Sequence, residues 1–317
     1  MSAHEVVGEQ REGLDGVVLV SHDSDLRVGF APGAGMVGYS LRHRGEELLG
    51  QRGGLAAYAE SGSTFGIPLL HPWANRLSAR TYSVSGQEAV LDPKRSPVRL
   101  DPNGLPIHGL LAASRFWELE RRHASREQAA ISARLDFGAH DELLAAFPFP
   151  HELHVEAGLA GDTLTVATTV HPTGAVPVPI CFGWHPYLRL PDLPRSEWRV
   201  ELAVRTRALL DERGIPSGRE EPANTSGGRL AGRSYDDLFT ALAEPPRFAL
   251  EGGGRRVELE LGEGYPVAQV YAPEDQEFIC FEPMTAPTDA LVTAHGLPTV
   301  APGAAFRAEF RVRVSGS

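Results

Sequence analysis

The chain has 317 residues, 42% of them hydrophobic, which is enough for a sizeable core in one large β unit. Its formal net charge of -11 at pH 7 argues against a nucleic-acid partner or an anionic membrane surface, since both select basic faces. No stretch approaches the apolar length that crosses a bilayer. Met1-Ser2-Ala3-His4-Glu5 lacks the basic and apolar regions of a secretory signal, so a cytoplasmic protein is expected.

Along the chain the dominant hydrophobic period is two. Gly16 to Ser21 opens as a strand. Arg27 to Phe30 and Met36 to Leu41 flank the Pro32-Gly33-Ala34-Gly35 turn and predict a hairpin. Thr81 to Val84 and Ala89 to Leu91 predict another around Ser85-Gly86, and Trp117 to Arg122 pairs with Gln128 to Phe137. Asp141 to Phe147 is the one stretch that reads as a short helix. The cleanest hairpin runs from His151 to Leu159, turns at Ala160-Gly161-Asp162 and returns over Thr163 to Val170. Ala305 to Val314 alternates as well. With 25 Pro and 34 Gly spread as turn markers and no linker or repeat, the chain predicts a single all-β unit over 1–317, a large antiparallel sandwich. Cys181 and Cys280 both sit in apolar runs and are expected to be buried free thiols. Asn224-Thr225-Ser226 matches a glycosylation acceptor, which has no consequence without secretion.

Four segments carry polar side chains to the edge of apolar runs. Phe278-Ile279-Cys280-Phe281-Glu282-Pro283 ends in a carboxylate, and a buried Glu is rare unless compensated; such a group makes a base of raised pKa. Leu105-Pro106-Ile107-His108-Gly109 and Cys181-Phe182-Gly183-Trp184-His185-Pro186-Tyr187 each end in an imidazole. Gly66 to Leu77 ends in Asn75 and Arg76, with His71, Trp73 and Ala74 before them. Taken singly, Glu282 reads equally well as a structural carboxylate, His108 as a loop hydrogen-bonder, Arg76 as a surface cap, and Trp73 and Trp184 as core fillers. Together, one carboxylate, two imidazoles, a guanidinium and aromatic walls suit a hemiacetal sugar. Opening its ring removes the C1 hydroxyl proton while the ring oxygen gains one, and neither cofactor nor metal is required.

These residues resemble the aldose 1-epimerase, or galactose mutarotase-like, family over nearly the whole chain. The resemblance rests on Asn75-Arg76-Leu77 with Tyr82, Ile107-His108-Gly109, His185-Pro186-Tyr187-Leu188, Tyr235-Asp236-Asp237-Leu238-Phe239, and Phe281-Glu282-Pro283 with Ala286-Pro287. It implies an antiparallel β-supersandwich with an open sugar cleft. Glu282 would be the base on the C1 hydroxyl and His185 the acid to the ring oxygen. His108, Arg76 and Asp236 would bind hydroxyls, with His108 also placed to assist proton transfer and Asp237 the alternative to Asp236. Asn75, Trp73, Trp184 and His71 complete the candidate lining, in a monomer or homodimer whose partner is a small-molecule sugar. Trp184 and Leu110 stand where well-studied members carry Asn and Gly, so a galactose preference does not carry over.

Other readings compete. A hexose 6-phosphate substrate would draw on further arginines such as Arg80, Arg115 and Arg189. A sugar-binding module would keep the cleft without turnover. Two His with Glu282 compose a metal-ligand set, although His151-Glu152-Leu153-His154 falls one residue short of the helical zinc spacing. Glu282 with Asp236 could form a glycosidase pair.

Overall fold

The structure, a computed structural model, describes residues 3–316. Met1, Ser2 and Ser317, the ends of the expected 1–317 unit, lie outside them. Three antiparallel sheets dominate: an N-terminal meander of five strands, a nine-stranded sheet and an eight-stranded sheet. Helix is confined to short pieces, and the fold class is all-β as the alternation predicts.

Alternation builds the nine-stranded sheet. In His151–Ala160 the side chains of His151, Leu153, Val155, Ala157 and Leu159 are buried while their neighbours face outward. The chain turns through Gly161 and returns as Thr163–Pro172 with residue-for-residue pairing. The C-terminal strand Phe306–Gly316 adds to that edge and buries Ala308, Phe310, Val312 and Val314. One hydrophobic cluster draws Leu19 from the meander, Val155 from the nine-stranded sheet and Phe281 from the eight-stranded sheet.

The central strands of the eight-stranded sheet behave differently. Ile279–Met284 is buried at every position and Val267–Ala272 at all but one, so both faces are covered. One face of Ile279–Met284 meets the core, where Phe281 packs on Phe248 at 5.5 Å between ring centroids. The other face carries Glu282. Cys181 and Cys280 are free and buried, and the Cys181 thiol donates to the Pro72 carbonyl at 3.0 Å.

Three features depart from the sequence pattern. The expected helix over Asp141 to Phe147 stops at Leu144, because Pro148 and Pro150 follow too closely for it to continue. An eight-residue helix over Gly54–Ser61 has no counterpart in the pattern; its Ala56 amide is held by Glu12 at 2.8 Å, a contact from 44 residues away. His4–Arg11 is a strand, and so are Val204–Leu210 and Pro216–Pro222; charged side chains and Gly or Pro hide their alternation.

His71 and His151 meet inside the core, Nε2 to Nε2 at 2.9 Å, ringed by Phe137 and Phe147. His151 Nδ1 also bonds the Phe149 carbonyl at 2.6 Å. Burial depresses both imidazoles, His151 to about 4, offset for His151 by its carbonyl contact. The unfolded chain therefore binds more protons between about pH 6.5 and 4, and stability falls as pH drops through that window. Urea unfolding at pH 7.0 and 5.0 should show this loss, and His151→Phe should reduce it. A wild-type stability unchanged over the window would contradict the buried neutral pair.

Candidate active site

Glu282 lies where the sheet ladder is interrupted. On one side it faces Gln269 in register. On the other, the neighbouring segment pairs through Gly183↔Met284 and then through Tyr187↔Cys280 and Leu188↔Ile279. Between those contacts lies His185-Pro186, and Pro186, like Pro283, has no N–H to give. His185 turns out of the ladder instead, its amide donating to the Pro68 carbonyl at 3.1 Å. Its Nε2 comes to rest 3.2 Å from Glu282 Oε1, with the side chains 5% and 2% exposed.

A second pair of segments brings Arg76 and His108 to the same place. Arg76 and Ile107 bridge, the Leu77 amide donates to Pro106, and the His108 amide donates to Asn75 at 2.9 Å. Asn75 and His108 both take left-handed backbone angles, φ 54° and 61°, which non-glycine residues adopt at a cost. Gly109 follows at φ 69°, where a Cβ would sit 2.2 Å from the His71 carbonyl oxygen, so only glycine fits. The His108 ring lies edge-on to that of His185 at 5.4 Å. Arg76 donates through Nε to Asp101 at 2.9 Å and through Nη1 to Asn75 Oδ1 at 3.2 Å.

Strand register separates the two aspartates. Leu238 pairs with Gln269 and Gln269 with Glu282, so Asp236, two residues before Leu238, shares the Glu282 face. Asp236 accepts a hydrogen bond from Gln269 Nε2 at 2.7 Å. Asp237 points the other way and pairs with Arg207 at 2.9 Å.

Three candidate lining residues are placed elsewhere. Trp184 is wholly buried, donates to Thr168 Oγ1 at 3.1 Å and packs on Phe310. Trp73 is 1% exposed within the main hydrophobic cluster. His71 is taken up by His151. Period-two geometry explains Trp184: on a strand, the residue next to a site residue faces the opposite side. Aromatic rings at the site come instead from Tyr187, stacked on His185 at 4.5 Å and 5°, and Tyr271, edge-on to His185 at 6.1 Å.

The aldose 1-epimerase family model matches residues 20–313. The chain belongs to the aldose 1-epimerase family. A galactose mutarotase-like protein from Clostridium acetobutylicum superposes with TM-score 0.85 at 16% identity, covering 99% of each chain. Galactose 1-epimerase from Lactobacillus acidophilus gives 0.77 at 15%, covering 100% of both. A Synechocystis protein gives 0.77 at 20%, covering 100% of this chain and 98% of that one. At these identities the structures share the fold. No curated protein matches the sequence.

In this member of the aldose 1-epimerase family, the electrostatics of the site follow from burial. Glu282 is raised well above the carboxylate range, first by desolvation and then by Asp236, with Arg76 opposing. His185 and His108 are pushed down, again first by desolvation; Arg52 adds to the first, and His185, Arg99 and Arg76 to the second. Asp236 keeps solvent contact, yet desolvation by the surrounding protein raises it against the pull of Arg76 and Gln269. Asp101 is held low: desolvation would raise it, but the Leu105 amide and Arg76 outweigh that. Glu282 Oε2, His185 Nδ1 and His108 Nδ1 are buried without hydrogen-bond partners, an unusual concentration of unmet polar atoms. Among the described residues, no group of three or more His, Cys, Asp or Glu is arranged to hold a metal ion.

Sequence reasoning passed over Gln269, Asp101, Tyr187, Tyr271 and Arg52. Gln269 had a signal, a polar residue amid Val267-Ala268-Val270; Asp101 had none, lying 25 residues from Arg76. Asp101→Asn keeps an acceptor for the loop amides but removes the charge opposite Arg76. It should raise the KM or Kd for sugar about tenfold, ~1.4 kcal/mol, with the fold intact by circular dichroism. An unchanged KM and Kd would show that Arg76 needs no such anchor.

Proposed function

We propose that the protein is an aldose 1-epimerase that interconverts the α and β anomers of a free aldose. The observation that carries this reading is the direct 3.2 Å contact between a carboxylate and an imidazole, both almost sealed from water. Burial disfavours the charged form of each, so before substrate binds the pair carries one titratable proton, held on Glu282. On binding, the sugar's hydroxyls replace that contact and the shared proton passes to His185, leaving a carboxylate beside an imidazolium. Glu282 takes the C1 hydroxyl proton while His185 delivers one to the ring oxygen, and the C1–O5 bond breaks to give the open-chain aldehyde. Rotation about C1–C2 presents the other carbonyl face; O5 then attacks C1, O5 returns its proton to His185, and Glu282 returns its proton to O1. Atoms and charges balance at the end of each cycle. Arg76, His108 and Asp236 hold the remaining hydroxyls, which both donate and accept. Tyr271 offers a ring edge to the apolar side of the pyranose.

Polarimetry on freshly dissolved α-D-glucose and α-D-galactose tests the reading. Wild type should speed equilibration, and Glu282→Gln should lose roughly 10²–10⁴ of the rate while still binding sugar. No acceleration of any aldose would sink the proposal. The pH profile of kcat/KM should be bell-shaped. Its acid limb should fall below the ordinary imidazole value because His185 is depressed, and its alkaline limb well above the ordinary carboxylate value because Glu282 is raised. An acid limb at or above the ordinary imidazole value would remove the depressed, buried pair.

A second reading, a hexose 6-phosphate as substrate, is favoured by Arg52 and Arg99. Arg52 donates to the Tyr187 hydroxyl at 3.2 Å and stands over its ring, while Arg99 donates to the Gly62 carbonyl. Neither has a carboxylate in ion-pair range among the described residues, and the two guanidinium charges repel. Such a pair suits a phosphate. Of the arginines picked from sequence, Arg80 is exposed and donates to Gly104 on another loop. If the second reading holds, Arg52→Ser should lower kcat/KM for glucose 6-phosphate at least tenfold more than for glucose. Equal effects on both sugars would dismiss it.

A further inference from the structure

The face of the eight-stranded sheet that carries Glu282 continues past the site to a concavity of about 460 Å³. Leu238 lies on its floor, two strands from Glu282 through Gln269, a separation of about 10 Å. Ala208 and Pro287 extend this apolar floor, and Thr240, Thr288 and Asp289 give it polar walls. The volume falls within the usual range for small-molecule sites.

Arg76 lies between the Glu282–His185 site and this concavity. The Asp289 amide donates to the Arg76 carbonyl at 3.1 Å, and the Ser78 amide donates to Asp289 Oδ1 at 2.7 Å. From the other side the turn joining Val204–Leu210 to Pro216–Pro222 rests on the Arg76 guanidinium. A Cβ at Gly214 would stand 3.0 Å from Arg76 Nη1. Arg76 is thus held by its backbone to Asp289, a residue of the concavity, and by its side chain to the adjoining turn.

The lining indicates what the concavity takes. The hydroxyls of Thr240 and Thr288 are buried without partners, and Thr288 is 3% exposed. Asp289, 4% exposed, holds a left-handed backbone at φ 71°, a strained conformation of the kind that gathers at ligand sites. The charged residues of the lining, Arg219 against Glu220 and Asp289, give no cationic surplus, which disfavours an anion. Apolar floor with hydroxyl and carboxylate walls matches a sugar ring, whose C–H face is apolar and whose rim both donates and accepts.

We propose that this concavity is a second glycosyl subsite, so that the preferred substrate is the reducing end of a di- or oligosaccharide. The reducing ring occupies the Glu282–His185 site, and the next ring sits on Leu238 and Ala208 between Thr240, Thr288 and Asp289. The proposal rests on the aldose 1-epimerase reading of the first site.

Mutarotation rates on maltose, cellobiose, lactose and melibiose, all with glucose at the reducing end, test it against glucose itself. At least one disaccharide should exceed glucose in kcat/KM by tenfold or more. Thr293→Trp and Glu220→Trp, both at exposed lining positions, should reduce that disaccharide to the glucose level while glucose stays within twofold. No disaccharide above glucose, or equal losses on both, would overturn the subsite. Should wild type accelerate no sugar, the epimerase reading fails on its own, and saturation-transfer NMR with the same disaccharides decides the subsite. Binding to wild type that Thr293→Trp abolishes upholds it; absent or unaltered binding overturns it.

Discussion

A carboxylate beside an imidazole, both withdrawn from water, is the constraint around which the molecule is arranged. An isolated buried carboxylate is costly, and a buried imidazolium is too. Glu282 and His185 stand 3.2 Å apart, close enough for each to offset the other's burial. Both ladder neighbours of the pair lack an N–H at the critical point, Pro186 on one strand and Pro283 on the other. The break in the ladder is therefore written into the covalent structure.

The surrounding fold serves to hold that break still. Gln269 fixes Asp236 from the adjacent strand, Asp101 and Asn75 fix Arg76, and Tyr187 lies flat on His185 with its hydroxyl tied to Thr64 at 2.7 Å. Each of these partners is itself anchored in a sheet or a bridged loop. Preorganisation of this sort suits a reaction in which protons move over short distances and no group leaves the site. The nine-stranded sheet behind contributes mass and rigidity, and its inward face is almost wholly apolar.

How much of this the sequence carried depends on the range of the forces involved. Hairpins with clean alternation, such as His151 to Val170, were legible because period two and a glycine turn are local properties. Polar edge strands such as Pro216–Pro222 were not, because their register is set by neighbours. Glu282, His185 and Arg76 stood out as polar residues ending apolar runs. Trp73, Trp184 and His71 carried the same proximity signal, yet the structure places them in the core, since nearness in sequence says nothing about which face a side chain takes. Asp236 and Asp237 could be told apart only through register with Gln269 and Glu282. The positioning residues Asp101 and Gln269 act across the fold, where no short motif reaches.

The central claim is that Glu282 and His185 work as one proton-sharing unit. A double-mutant cycle on anomerisation rate, comparing Glu282→Gln, His185→Asn and the two together, tests it most directly. The account predicts that the double variant is no slower than the slower single variant, because either change alone removes the shared proton's path. Losses that multiply, so that the double variant falls by the product of the singles, would contradict it and make the two residues independent contributors.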